Sequence, residues 1–220
     1  GPSGAADPFG LRRAALGILR VLRARRWRLS LAGLIRFALA SVVEATGEAA
    51  PDPLAADIEG FFRARLKASL TAEGIPTDVA EAALSAGFDD VVEATDRARA
   101  LHRFRERAEF DALAVTFKRV ENILKDASTE PPDVAALHEP VEHRLYEAAT
   151  TAAREVRARL EAEDHDGAFV EVAELRPAVD AFFEGVMVMA EDPEVRARRQ
   201  GLLGMVRRAF APLAAFDKLS

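Results

Sequence analysis

The sequence contains no cysteine, which excludes thiolate zinc sites, iron–sulfur clusters and a thiol nucleophile. It also lacks an uninterrupted apolar run of about 18 residues, the length that a membrane-spanning helix needs. The nearest candidate, residues 29–43, is broken by Arg36. No segment combines the basic and apolar parts of a signal peptide. We therefore expect a soluble, cytoplasmic protein that has no membrane partner.

Acidic residues are absent from residues 8–43, a stretch that holds eight arginines. The whole chain carries a net charge of −6, so this stretch at +8 leaves −14 on the remainder. Such segregation indicates an anionic partner for the basic end, and RNA phosphate binds Lys and Arg largely through counterion release. Docking on an acidic protein surface and a solvated basic helix without a partner are the alternatives.

The spacing of apolar residues is helical along nearly all of the 220-residue chain, and half of the residues are hydrophobic. No convincing period-two alternation indicates strands. We predict an all-α fold, a bundle of about nine to ten helices. The predicted helices start at Asp7-Pro8 and after Ser30, cover about 54–73, 89–107 and 139–162, and start again near Asp78, Phe110, Phe169, Pro177 and Asp192-Pro193.

Several apolar side chains are expected to face the core because they recur at helical spacing. Asp78 and Glu81 are expected to form a capping box. The inward positions are Leu11, Ala15, Ile18, Leu19, Leu22, Leu31, Leu34, Ile35, Leu39, Val42, Phe61, Phe62, Leu66, Leu70, Phe110, Leu113, Phe117, Val120, Leu124, Phe182, Phe183, Met187 and Met189.

Glycine and proline in residues 47–53 predict a loop, and we place a domain boundary there. Residues 1–50 would form a linker-like start and a basic helical lead-in, and residues 51–220 a helical domain. The first seven residues resemble a linker and there is no initiator Met. We therefore expect a piece of a longer protein.

No arrangement of residues predicts catalysis. The chain lacks the glycine-rich patterns that bind phosphates in nucleotide enzymes. His138 and His143 are five residues apart with Pro140 between them, which favours a helix start over a zinc site. Residues 164–167 combine two aspartates and a histidine beside a glycine, which favours a solvated turn. We expect no catalytic, metal or cofactor residue in this chain.

Several segments together resemble one known family. The stretches DPFGLRRAALGILR and VDAFFEGVMVMAED are the most specific of them. In order, the segments are residues 7–20, 117–123, 179–192, 195–199 and 216–220. Over residues 7–220 the chain resembles the C-terminal third of the β subunit of the bacterial heterotetrameric glycyl-tRNA synthetase.

The resemblance implies a non-catalytic part of a glycine–tRNA ligase. Residues 51–220 would be an α-helical anticodon-binding domain of the DALR type, and residues 1–50 would lead in from an HD-like domain. Residues 111–114 match the DALR tetrapeptide at three positions, and Ala114 replaces its arginine. Arg198-Arg199 stands where an Asn-Arg pair is expected. The implied partners are glycine tRNA, the remainder of the β subunit and the α subunit, on which ATP-dependent aminoacylation takes place.

Eight polar side chains are the candidate RNA ligands. Lys118, Arg119 and Asn122 share the face of the sixth helix opposite its apolar stripe, and two cations with one amide suit a phosphate and a base edge. Cations early in the last helix are disfavoured by its dipole, which suggests an external anion. Solvated faces, or subunit assembly without RNA contact, are the alternatives. The candidates are Arg12, Arg13, Arg20, Lys118, Arg119, Asn122, Arg196 and Arg199.

Overall fold

The computed structural model describes residues 7, 9–49, 51, 53–125, 127 and 130–220. Within these ranges there are ten α-helices and no strand, so the predicted all-α fold is confirmed. Pro8, predicted at the first helical position, lies outside the described residues. The helices are α1 (Leu11–Arg25), α2 (Leu31–Thr46), α3 (Leu54–Ala72), α4 (Thr77–Ser85), α5 (Val91–Arg105), α6 (Phe110–Leu124), α7 (Pro140–Glu161), α8 (His165–Ala173), α9 (Arg176–Gly185) and α10 (Pro193–Phe210).

Two compact units divide the chain, and they are described separately below. The first unit is Gly1–Arg99 and the second is Ala100–Ser220. The first contains α1 to α4 and most of α5, and the second contains α6 to α10. The predicted domain boundary near residue 50 coincides with the loop between α2 and α3 and stays a prediction.

In the first unit, α1, α2 and α4 pack against α3. The Ser30 hydroxyl accepts a hydrogen bond from the Gly33 N–H over 2.9 Å, which confirms the predicted cap of α2. Gly74 follows α3 with a φ of 95°, a left-handed conformation that favours glycine where a helix stops. The buried apolar side chains include Ala15, Leu19, Leu22, Leu31, Ile35, Phe62, Leu66, Leu70, Val79 and Leu84.

The apolar stripes predicted for α1 and α2 are only partly buried. Both helices pack against α3, and this contact covers only part of each stripe. Phe61 on α3 is half-buried rather than fully enclosed. The predicted inward residues that are exposed are Leu11 (48%), Ile18 (44%), Leu34 (40%) and Val42 (57%).

The predicted capping box of α4 is wrong. Its Glu81 carboxylate instead receives Nη2 of Arg63 and Nζ of Lys67 from α3, each over 2.7 Å. Hydrogen bonds from Arg63 and then Lys67 lower the pKa of Glu81 from 4.5 to about 2. Glu81 therefore ties α4 to α3 instead of closing its own helix end.

In the second unit, α7 packs against α8, α9 and α10, and α6 packs against α9 and α10. The Phe117 ring stacks on Phe210 with centroids 4.5 Å apart and meets Phe216 edge-on at 5.0 Å. These aromatic contacts centre the core where α6 meets the end of the chain. The apolar stripe predicted for α6 is buried at all five positions: Phe110, Leu113, Phe117, Val120 and Leu124.

Two predictions about the second unit are wrong. Residues 164–167 do not form a solvated turn, because the Asp164 carboxylate caps α8 through the Gly167 N–H at 2.8 Å and His165 is buried. Met187 and Met189 are not core residues, since they are 72% and 57% exposed. The chain leaves α9 at Val186 in an extended conformation, and beyond it Met187 and Met189 face outward while Val188 is buried. We name residues 186–192 the strap.

Candidate nucleic-acid interface

The polar face of α6 lies opposite its buried stripe, as the helical period requires. Arg119 and Asn122 are exposed, and Lys118 is half-buried. Asn122 follows these two cations by three and four positions, so the three side chains are neighbours on the helix surface. The structure thus brings together the three residues that the sequence places on this helix.

Arg119 has a contact that the sequence pattern does not reveal. Its Cζ lies over the Phe183 ring of α9, 3.9 Å from the centroid. Phe182, the preceding residue, is fully buried and anchors α9 in the core, whereas Phe183 is half-buried at the surface. Cation–π attraction therefore holds one face of the Arg119 guanidinium against the Phe183 ring and leaves its other face open to solvent.

This arrangement has the chemical parts that bind a single-stranded nucleotide. A guanidinium plane supports stacking of an unpaired base, and a cation one residue away suits a phosphate. The Asn122 amide offers both a donor and an acceptor to a base edge. The α6 face, defined as Lys118, Arg119, Asn122 and Phe183, is the candidate site.

Arg196 and Arg199 have partners inside the second unit. Nη1 of Arg196 donates to the Ala190 carbonyl over 3.0 Å, and Nη1 of Arg199 donates to the Met187 carbonyl over 2.9 Å. Both arginines thus fasten the strap to α10. These contacts explain cations near the start of α10, where the helix dipole disfavours them. An RNA role for either residue stays a prediction.

One acidic residue that holds Arg199 in place was not predicted from the sequence. Glu142 on α7 is fully buried, and its carboxylate accepts Nε of Arg199 over 2.8 Å. Burial opposes ionisation, but hydrogen bonds from Arg199 and from the backbone N–H groups of His138 and Glu139 outweigh it and lower the pKa of Glu142. Glu142 is the third residue of a helix that begins with proline. An acid at this position is typical of a capping box, so the sequence did contain a signal for it.

The remaining candidates lie on α1 in the first unit. Arg12 is half-buried, and Arg13 and Arg20 are exposed. The backbone N–H groups of Arg12 and Arg13 donate to the Asp7 carboxylate over 3.2 and 3.3 Å. Asp7 therefore stabilises the start of α1, although Gly10, in a left-handed conformation, is the residue that precedes the helix.

No metal centre is found in the part of the chain that the structure describes, since no three His, Asp or Glu side chains converge there. The His143 ring donates from Nε2 to the Leu137 carbonyl over 3.1 Å, so this histidine serves the start of α7. Among the described helices, none has the length and apolarity to cross a bilayer.

The fold and the α6 face define an all-α module with a cationic, amide-bearing surface. A family described as the glycyl-tRNA synthetase beta subunit matches residues 1–85. The beta subunit of the glycine–tRNA ligase of Citrifermentans bemidjiense is 42% identical over 222 residues, which cover 100% of this chain and 32% of that protein.

The same subunit from Syntrophotalea carbinolica is 43% identical, covering 100% of this chain and 32% of the relative. That of Anaeromyxobacter dehalogenans is 45% identical, covering 99% of this chain and 31% of the relative. The chain belongs to the glycyl-tRNA synthetase beta subunit family, and the resemblance found in its sequence is confirmed. It spans about a third of the length of these curated relatives.

Proposed function

We propose that the chain is a tRNA-binding part of a glycine–tRNA ligase, which grips the anticodon region of glycine tRNA without taking part in the chemistry. Family membership supports the choice of tRNA. The α6 face, where Arg119 lies 3.9 Å from the Phe183 centroid beside Asn122, is the observation that carries the binding role. The ATP-dependent reaction belongs, in this proposal, to the α subunit.

In this proposal each side chain of the α6 face has a separate task. Lys118 neutralises a phosphate and so sets the register of the loop. Arg119, supported by Phe183, stacks on an unpaired base, and Asn122 bonds to the edge of that base or of its neighbour. Residues 51–220 would then be the anticodon-binding domain and residues 1–50 its lead-in.

The complete ligase carrying Lys118→Glu and Arg119→Glu tests this function. We expect tRNA affinity, measured by gel shift at two salt concentrations, to fall by at least about tenfold, because two phosphate or stacking contacts become repulsive. Arg144→Glu with Arg157→Glu is the matched control, since both residues are exposed on α7 of the same unit. Unchanged aminoacylation and tRNA affinity in the first variant contradict the assignment.

A second function, subunit assembly, is favoured by a different observation. The acid-free segment exposes large apolar side chains, with Trp27 at 54% and Phe37 at 74%. Apolar surface of this kind marks a protein contact rather than an RNA contact. Footprinting of glycine tRNA on the ligase with and without this chain separates the two functions. Protection of the anticodon loop that persists without the chain favours assembly alone.

A further inference from the structure

The first unit contains a cleft of about 420 Å³ between α1, the end of α3 and α5. Its volume lies within the range of sites that hold small ligands. Six of its lining residues are charged: Arg20, Arg23, Arg26, Glu73, Asp96 and Arg99. Because four are arginines and two are acids, the lining carries a net charge of +2.

The ion pairs inside the cleft neutralise only part of its positive charge. Glu73 bridges Arg23 at 2.6 Å and Arg99 at 2.7 Å, so one carboxylate serves two cations. Burial opposes its ionisation, but the two guanidinium groups outweigh burial and lower the pKa of Glu73. Asp96 pairs with Arg26 over 2.9 Å. Both acids are therefore engaged, and the four arginines of the lining outnumber them.

Two arginines of α1 differ in what they offer to the cleft. The Arg23 head group is already engaged, since its Nη1 donates to the Ser69 hydroxyl over 2.9 Å, and its unpartnered Nε is buried away from solvent. Arg20 lies one turn earlier on α1, is exposed, and pairs with no carboxylate in the described residues. Residues 8–43 hold no acid that could neutralise it.

We propose that this cleft binds a phosphate group, carried by a nucleotide or by an RNA backbone. Guanidinium groups bond to phosphate oxygens in pairs, and such charge-assisted bonds are about twice as strong as neutral ones. Arg20 supplies the free donors, and Arg23 and Arg99 extend the positive wall. The site lies in the first unit and shares no residue with the α6 face, so it goes beyond the tRNA contact proposed above.

Calorimetry of pyrophosphate binding to the 220-residue chain at low salt tests the site. Arg20→Ala is expected to weaken binding by about five- to tenfold, the loss of one charge-assisted contact. Arg25→Ala is the matched control, because Arg25 is exposed on the same helix and does not line the cleft. Thermal unfolding checks that both variants fold. Wild-type affinity in Arg20→Ala, or an equal loss in both variants, overturns the proposal.

Competition distinguishes the two sources of phosphate. Displacement of pyrophosphate by glycine tRNA, but not by ATP, identifies an RNA backbone, and the reverse identifies a nucleotide. Displacement by neither overturns the site. The Lys118→Glu, Arg119→Glu variant should keep wild-type pyrophosphate affinity, so failure of the α6 face and failure of the cleft give different results.

Discussion

Glu142 and Arg199 form an ion pair across 2.8 Å in which the carboxylate is fully buried. Arg198 approaches the other carboxylate oxygen at 3.5 Å, so α7 and α10 are joined by one acid and two cations. Because Arg199 also donates to the Met187 carbonyl, the same pair fixes the strap. One buried charge therefore links two helices to an exposed segment.

Glu142→Ala should destabilise the protein by about 3 kcal/mol, since it leaves two largely buried guanidinium groups without their acid. Urea unfolding followed by circular dichroism measures the loss. Glu147→Ala is the control, because Glu147 is exposed on the same helix. A cost below about 1 kcal/mol for Glu142→Ala, as is typical of a surface pair, would show that the cluster is solvated.

The Glu81 cluster should make stability depend on acid pH. Hydrogen bonds from Arg63 and Lys67 hold its pKa at about 2, below the 4.5 of the unfolded chain. The stabilisation is therefore complete above 4.5 and is lost as the pH falls through about 2. Since the three side chains are partly exposed, we expect about 1–2 kcal/mol.

Glu81→Gln removes this dependence, so its unfolding free energy should fall less between about pH 5 and pH 2 than that of the wild type. Hydrogen exchange of the amides in α3 and α4 gives a local readout. Glu59→Gln on α3 is the control for the loss of one carboxylate. Identical acid profiles for Glu81→Gln and the wild type would mean that the cluster contributes nothing.

Gly201 and Gly60 should respond to alanine with opposite signs. A Cβ at Gly201 would lie 2.5 Å from the Glu130 carbonyl oxygen, a backbone atom that has to move. We expect Gly201→Ala to cost about 1–3 kcal/mol. Gly60 has no atom within 4 Å of the added methyl group, so Gly60→Ala in α3 should gain about 0.5–1 kcal/mol. Thermal unfolding of both variants measures the difference, and a gain in Gly201→Ala would place Glu130 elsewhere.

Local signals predicted the helices well because their causes lie within a few residues. The stripe of α6 repeats at helical spacing, and all five of its members are buried. Ser30 and Asp192 cap their helices through hydrogen bonds to N–H groups two or three residues on. Such features depend on sequence neighbours alone, so a single sequence is sufficient to find them.

The prediction for the strap was wrong because its cause lies far away in the sequence. Met187 and Met189 look like core residues in an apolar run, yet Arg199 and Arg196 hold the backbone of this segment from α10. Nothing within the run itself shows that its carbonyls will be tethered in this way. The Arg119–Phe183 contact likewise joins residues 64 positions apart. The sequence predicted the polar residues of the α6 face, but the aromatic support beneath them needed the fold.

Phe183→Leu separates stacking from charge at the α6 face. Leucine keeps an apolar contact under Arg119 but removes the ring, so we expect tRNA affinity to fall about two- to fivefold through loss of the cation–π support. The salt dependence of binding should not change, because no charge is removed. Arg119→Ala should instead weaken binding and lower the salt slope by about 1.

Phe61→Leu is the matched control for this ring. Phe61 carries the same kind of contact, with the Arg65 Cζ 3.4 Å from its centroid, but it lies on α3 and outside the proposed site. Filter-binding titrations across a salt series give affinity and slope for all three variants. If Phe61→Leu and Phe183→Leu lower affinity equally, the effect is one of folding. If neither does, Arg119 acts as a simple charge and its guanidinium plane supports no base.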